Sequence, residues 1–174
     1  KNGDSKIGIY VRGDGLDSES NYDGPLEYAL VFKGTDFSSE EDIENNIQQY
    51  TGEQSTHMAK GAAFVGWFVK EKSGIEITFA GHSKGGGEAA FNAELWNKNA
   101  IVFNPSIPKL TWYLEDENYV KAYVVRNEIL NHYLGELPIG KTKYINNKNN
   151  TKSNPNIKDR IEYHRMKSVI SAIQ

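Results

Sequence analysis

Cysteine is absent from all 174 residues, and that absence removes three chemistries at once: disulfide cross-links, a thiolate nucleophile and cysteine-held zinc. It fits any compartment, including an extracellular one without an oxidative folding pathway. Long apolar stretches are missing too. The longest, from Ala62 to Val69, falls far short of the roughly 20 residues that a membrane-spanning helix needs. Charge of one sign is not in excess: 20 basic and 23 acidic side chains leave a net charge of −3. Apart from a mildly basic tail after Lys141 there is no electrostatic footprint for nucleic acid, so no nucleic-acid partner is expected. No internal repeat and no stretch with the layout of a signal peptide stands out. The chain opens at Lys1 rather than Met, which points to a domain excised from a larger polypeptide or a processed protein. What remains is 38% hydrophobic and 25% charged, the composition of a globular protein with a real core, and the length implies one domain over residues 1–174.

Hydrophobic patterning supplies the elements. Lys6–Arg12 alternates and Leu26–Lys33 is apolar toward its end, so both read as strands. Ser38–Tyr50 opens on Ser-Ser-Glu-Glu-Asp and carries a thin stripe of Ile43, Ile47 and Tyr50, which predicts a surface helix. Gln54–Lys72 is the strongest helix, with Met58, Ala62, Val65, Phe68 and Val69 facing inward. Ile75–Ala80 is a buried strand, Gly85–Trp96 a helix, Ala100–Phe103 and Tyr119–Arg126 two more strands. Asn146–Asn156 is an exposed loop. Ile161–Ile173 closes the chain as a helix with Met166, Val169, Ile170 and Ile173 inward. Helices between buried strands predict an α/β sandwich with a mostly parallel sheet. Ligands in such sheets sit at the carboxyl ends of the strands.

One of those ends carries Phe-Ala-Gly-His-Ser-Lys-Gly-Gly-Gly, residues 79–87. A bare Gly-x-Ser-x-Gly is weak evidence, but here it falls where a strand must turn sharply into a helix, the context that a nucleophile elbow needs. Glycines around the serine let strand and helix approach closely. The order Gly, four residues, Gly-Lys-Ser/Thr of a phosphate loop is absent, and a dinucleotide fingerprint would need glycine where Ser83 stands. A purely structural turn does not call for a serine. Ser83 is therefore the candidate nucleophile, with the backbone N–H of Lys84 beside it at the helix start.

A serine hydroxyl needs a base, and histidine suits neutral pH. His82 lies inside the elbow and is expected to point away from the serine. His57 precedes it, and His132 leaves no room for a return path after the nearest acid. His164, expected at the start of the last helix, is the candidate base in the chain order Ser, acid, His. Glu128 follows the strand Tyr119–Arg126 directly and is the candidate acid, with Asp116 as the alternative and Asp159 read as a helix cap. As a plain structural residue Glu128 would be a helix N-terminal carboxylate. The second oxyanion donor is expected from another strand end, where Lys33-Gly34-Thr35 places a Thr with both an N–H and a hydroxyl.

Val-Phe-Lys-Gly-Thr-Asp at 31–36, an acidic helix, Phe-Ala-Gly-His-Ser-Lys-Gly-Gly and a late histidine together resemble the class 3 (fungal-type) lipase family of α/β-hydrolases. The likeness is nearest to short bacterial lipase or phospholipase domains of effector type. It runs from about Leu26 to the end. The resemblance implies an α/β-hydrolase-like three-layer sandwich. It also implies a Ser83–His164–Glu128 triad, with Thr35 in the oxyanion position and Lys33 where arginine is commoner. The family's acid is usually Asp in a Gly-Asp-Ile/Val-Leu setting; Asn127-Glu128-Ile129-Leu130 departs from it with Glu. Residues 36–50 fall where the family carries a lid. The expected activity is hydrolysis of lipid or phospholipid esters through an acyl-enzyme, with no metal or organic cofactor and transient contact with a membrane surface. The same resemblance implies a secreted protein whose parent chain holds further domains or meets an inhibitory partner. The Glu-for-Asp departure keeps two other outcomes open: a hydrolase-fold module that binds without turnover, and a thioesterase or carbohydrate esterase.

Overall fold

A computed structural model describes residues 6–13, 24–34, 54–106, 119–134, 139–147 and 152–174. The expected helix at 38–50, the lid position 36–50, Thr35 and Asp116 lie outside the described residues. Among the described residues six strands form one sheet: β1 (Ile7–Arg12), β2 (Glu27–Phe32), β3 (Glu76–His82), β4 (Asn99–Phe103), β5 (Val120–Val125) and β6 (Lys141–Ile145). They lie side by side in chain order. β1 runs antiparallel to β2, and every later pair is parallel. The helices are α1 (Gln54–Glu71), α2 (Lys84–Trp96), α3 (Ile129–Leu134), α4 (Ile157–His164) and α5 (Met166–Ile173).

Strand order in step with sequence has a consequence for the layers. Right-handed crossovers that always advance in one direction put their helices on one face of the sheet. Val65 and Phe68 of α1 and Ala89, Ala90 and Ala93 of α2 accordingly share one core with Leu30, Phe32, Ile77, Phe79, Ala100, Val102, Val120 and Ala122. Side chains alternate along a strand, so the intervening positions serve the other face. There Val125 and Ile145, with Phe103 and Tyr123 beside them, pack against Tyr163 and Val169 of the closing helices. Helices thus flank both faces, and the sheet is mostly parallel as the patterning predicts. Gly66 lets α1 and α2 meet, since a Cβ there would run into the Trp96 indole.

Three features differ from expectation. β6 was not anticipated: Lys-Thr-Lys-Tyr-Ile exposes its lysines and half-buries Thr142 and Tyr144, a short edge strand whose charges blunt further pairing. The closing helix is two helices, because Arg165 is extended at φ −66°, ψ 146°. The first begins four residues earlier than expected, at Ile157. A capping box starts it, with Asn156 and Asp159 each accepting from the other's backbone N–H; Asn156 is the N-cap and Asp159 its partner at the third helical position, so the capping role expected of Asp159 is shared. The break resets the helical phase of α5. Met166, Val169 and Ala172 face the sheet, and Ile170 and Ile173 are about half exposed rather than inward.

Candidate active site

Ser83 joins β3 to α2 with φ 56° and ψ −127°, a backbone conformation that a residue with a Cβ adopts only at a cost of order 1–3 kcal/mol. Its N–H donates to Phe103 O at the end of β4, and its own carbonyl accepts from Gly87 N and Ser106 N. Three elements therefore hold the strained turn. A serine at a helix N-cap ordinarily bonds the first turn with its hydroxyl; Ser83 makes no such bond, and its Oγ is not committed to the helix. Two glycines are required by contact rather than by φ. A Cβ on Gly85 would strike Phe32 O and lie 2.9 Å from Gly34 N, and one on Gly81 would strike Gly85 O. Both collisions are with backbone, which cannot move aside.

Glu128 follows β5 and sits at the N-cap of α3, its carbonyl receiving the first intrahelical bond from His132 N. Three N–H groups converge on its carboxylate. Leu130 N donates to Oε2 at 3.0 Å, Asn131 N to Oε1 at 2.5 Å, and His164 Nδ1–H to Oε2 at 2.6 Å. The helix-terminal role and the partnership with histidine are thus one arrangement: the cap fixes the carboxylate, and the carboxylate fixes the imidazole. Both residues are 2% exposed. With its proton on Nδ1 and directed at Glu128, neutral His164 keeps Nε2 as the basic nitrogen.

His164 is the last residue of α4, not the first turn of a closing helix as expected. Its main-chain carbonyl belongs to a helix end, where oxygens have no intrahelical donor. Two side chains supply donors instead: His82 Nε2 at 2.6 Å and Asn104 Nδ2 at 2.9 Å. Asn104 also reaches Tyr163 O at 3.1 Å, and its Oδ1 accepts from Val125 N at 2.8 Å. The His82 ring leans on the His164 ring with centroids 4.8 Å apart. His82 therefore reaches toward His164 and brings the elbow and the base together. Burial first, and then the charge of His164, push the His82 imidazole down to about 4; the bond to the His164 carbonyl works in the opposite direction. His82 is neutral at pH 7.

That shift has a stability consequence. Unfolded, His82 takes up a proton near its ordinary value of 6.5, and folded only near 4. Between those values the unfolded chain binds more protons, so stability falls as pH drops from 6.5 to 4 and levels off below. The full change is about 3 kcal/mol. Urea midpoints measured from pH 4 to 7 should fall on acidification in the wild type and fall less in His82→Gln; equal slopes would contradict it.

The residues singled out in the sequence have the following places. Glu128 and His164 meet beyond the carboxyl end of β5, Ser83 follows the carboxyl end of β3 with its neighbour His82 touching His164, and all three are nearly solvent-free. Lys84 opens α2, so its N–H faces out of the helix start, while its ammonium lies 3.9 Å from Glu88 Oε1. Gly34, the residue before Thr35, packs on the elbow: a Cβ there would sit 2.5 Å from His82 O and 3.5 Å from the Ser83 Cβ. His132 is exposed, its ring against Tyr133. Asn104 was missed as a site residue. The Asn-Pro pair after β4 reads as a strand stop; the structure gives Asn104 a φ of 39°, a left-handed position that Asn tolerates.

A mostly parallel α/β sheet with a strained serine at one strand end and a buried Glu–His pair beside it defines a domain with the parts of a hydrolase. The family model for the Tle-like phospholipase domain matches residues 16–134, more than half of the chain. The chain belongs to that phospholipase-like family, and its substrates are lipids. The matched segment holds Thr35, Ser83, Lys84 and Glu128 and stops before His164, so the histidine rests on geometry. No curated protein matches the chain.

Proposed function

We propose that this domain is a serine carboxylic-ester hydrolase for lipid esters, of lipase or phospholipase A type, on an α/β-hydrolase-like three-layer sandwich akin to the class 3 lipases. The observation that carries the reading is the buried 2.6 Å contact between His164 Nδ1 and Glu128 Oε2, with that imidazole in ring contact with His82, the neighbour of the strained serine. His164 Nε2 takes the Ser83 proton as Oγ attacks the ester carbonyl. Glu128 holds the imidazole in the right tautomer and stabilises its charged form. The N–H of Lys84 and the N–H or hydroxyl of Thr35 receive the developing oxyanion; losing one such donor costs about 3 kcal/mol. His164 then protonates the leaving alcohol, and water, deprotonated by the same nitrogen, releases the fatty acid from Ser83. The chemistry as written uses side chains, backbone N–H groups and water. A lipid substrate brings the domain to a membrane surface for the duration of turnover, and no helix among the described residues is long and apolar enough to cross one.

A fluorophosphonate probe tests the reading, because it reacts covalently only with an activated serine. The expected result is stoichiometric phosphonylation at Ser83, found by peptide mapping, with parallel loss of phospholipid hydrolysis. A folded, unlabelled protein that still binds phospholipid vesicles would make it a binding module instead.

A further inference from the structure

Helix ends are usually capped by solvent or by neighbouring backbone. At the end of α4 backbone supplies one bond, from Arg165 N to Glu162 O, and the last carbonyl is left to side chains. The buried carbonyl of His164 is gripped by two side chains from the ends of two different strands, His82 closing β3 and Asn104 just after β4. Neither belongs to the triad proposed above. We infer that His82 and Asn104 act as a two-donor clamp on the His164 main-chain oxygen, setting the imidazole's position relative to Ser83. This inference rests on the proposed triad and adds two positioning residues to it.

The geometry explains why such a clamp is needed. Glu128 controls only one end of the imidazole, through Nδ1, and a ring held at one atom can still swing about it. The backbone of His164 lies between α4 and the extended Arg165, where the chain leaves its helical path. Fixing the carbonyl fixes the peptide on the far side of the Cα, and the ring then has restraints at both ends. Asn104 has the strain expected of a dedicated role, φ 39°, and Val125 N secures its carboxamide so that Nδ2 is the atom turned to His164. His82 adds ring contact to its hydrogen bond. Because the clamp's first arm is the residue bonded to Ser83, nucleophile and base are referenced to the same short piece of backbone. A displacement of the order of 1 Å in such a pair lowers turnover by about 100-fold.

The test compares wild type, His82→Phe, His82→Gln and Ser83→Ala for thermal melting and for kcat and KM on a soluble nitrophenyl ester. Phenylalanine keeps the ring contact and deletes the donor; glutamine retains a donor. The clamp predicts kcat lowered about 10- to 100-fold in His82→Phe, KM within about twofold, a cooperative melt, and partial recovery in His82→Gln. A folded His82→Phe with wild-type kcat overturns it, as does an equal loss in both variants. Nitrogen-15 spectra of the wild type give an answer that does not depend on the variants' folding. The clamp requires the proton of neutral His82 on Nε2, since a carbonyl only accepts; a proton on Nδ1 refutes it. Ser83→Ala separates this inference from the functional reading: if it hydrolyses ester like wild type, the triad itself fails, whereas an inactive Ser83→Ala beside a fully active His82→Phe removes the clamp alone.

Discussion

Ser83→Ala should lower phospholipid turnover by about 10⁵- to 10⁶-fold, the scale on which serine hydrolases lose their nucleophile, while the protein melts within about 2 °C of wild type. The second half of that expectation comes from the structure. Replacing an N-cap serine normally costs about 1 kcal/mol because the helix loses a side-chain bond, and Ser83 contributes none to α2. Alanine also inherits the same strained φ of 56° with no added bulk. Loss of activity without loss of stability is the signature of a side chain retained for its chemistry. Pure variant with activity within tenfold of wild type would remove Ser83 from the mechanism.

Glu128→Gln is the second large effect. It keeps shape and deletes one acceptor, at a point where three N–H donors converge. A carboxamide has one oxygen. If that oxygen takes the Oε1 place, bonded to Asn131 N, the amide NH₂ faces Leu130 N and His164 Nδ1 and forces the imidazole proton onto Nε2, the nitrogen that must receive it from serine. If the oxygen takes the Oε2 place instead, it keeps Leu130 N and His164 Nδ1, and Asn131 N loses its carboxylate acceptor. The first outcome lowers kcat by about 10⁴-fold, as a wrong tautomer does in serine hydrolases. The second costs about 1–3 kcal/mol of stability. Steady-state kinetics and urea denaturation on the same preparation distinguish them, and together they should account for the whole effect. Near-full activity in folded Glu128→Gln would move the acid to Asp116.

Local rules made much of this architecture readable from the residues. Strands buried on both faces are apolar without interruption, and the turn after β3 announces itself by glycines that backbone contact demands. The candidate triad could be proposed from order alone because each member follows a structural boundary that patterning reveals. Failures came where information is not local. β6 is only five residues with two lysines, and its strand character depends on β5 standing beside it. The break at Arg165 has neither proline nor glycine to mark it; tertiary bonds to the His164 carbonyl end α4 there. For the same reason nothing local marks His82 and Asn104 as partners of the His164 carbonyl. Their partners lie on a distant segment that no period or spacing connects to them.

Placing His164 on α4, rather than near the elbow in sequence, also sets a clock. Glu128 leaves the ribosome 36 residues ahead of His164, an interval of about 2 to 7 s at ordinary synthesis rates. During it the sheet from β1 to β5 can pair, since every neighbour is already made, yet under the proposed mechanism the nascent chain has no base and cannot attack the membranes of the cell that makes it. Competence arrives abruptly, when residue 164 emerges and its carbonyl finds the two strand ends waiting for it.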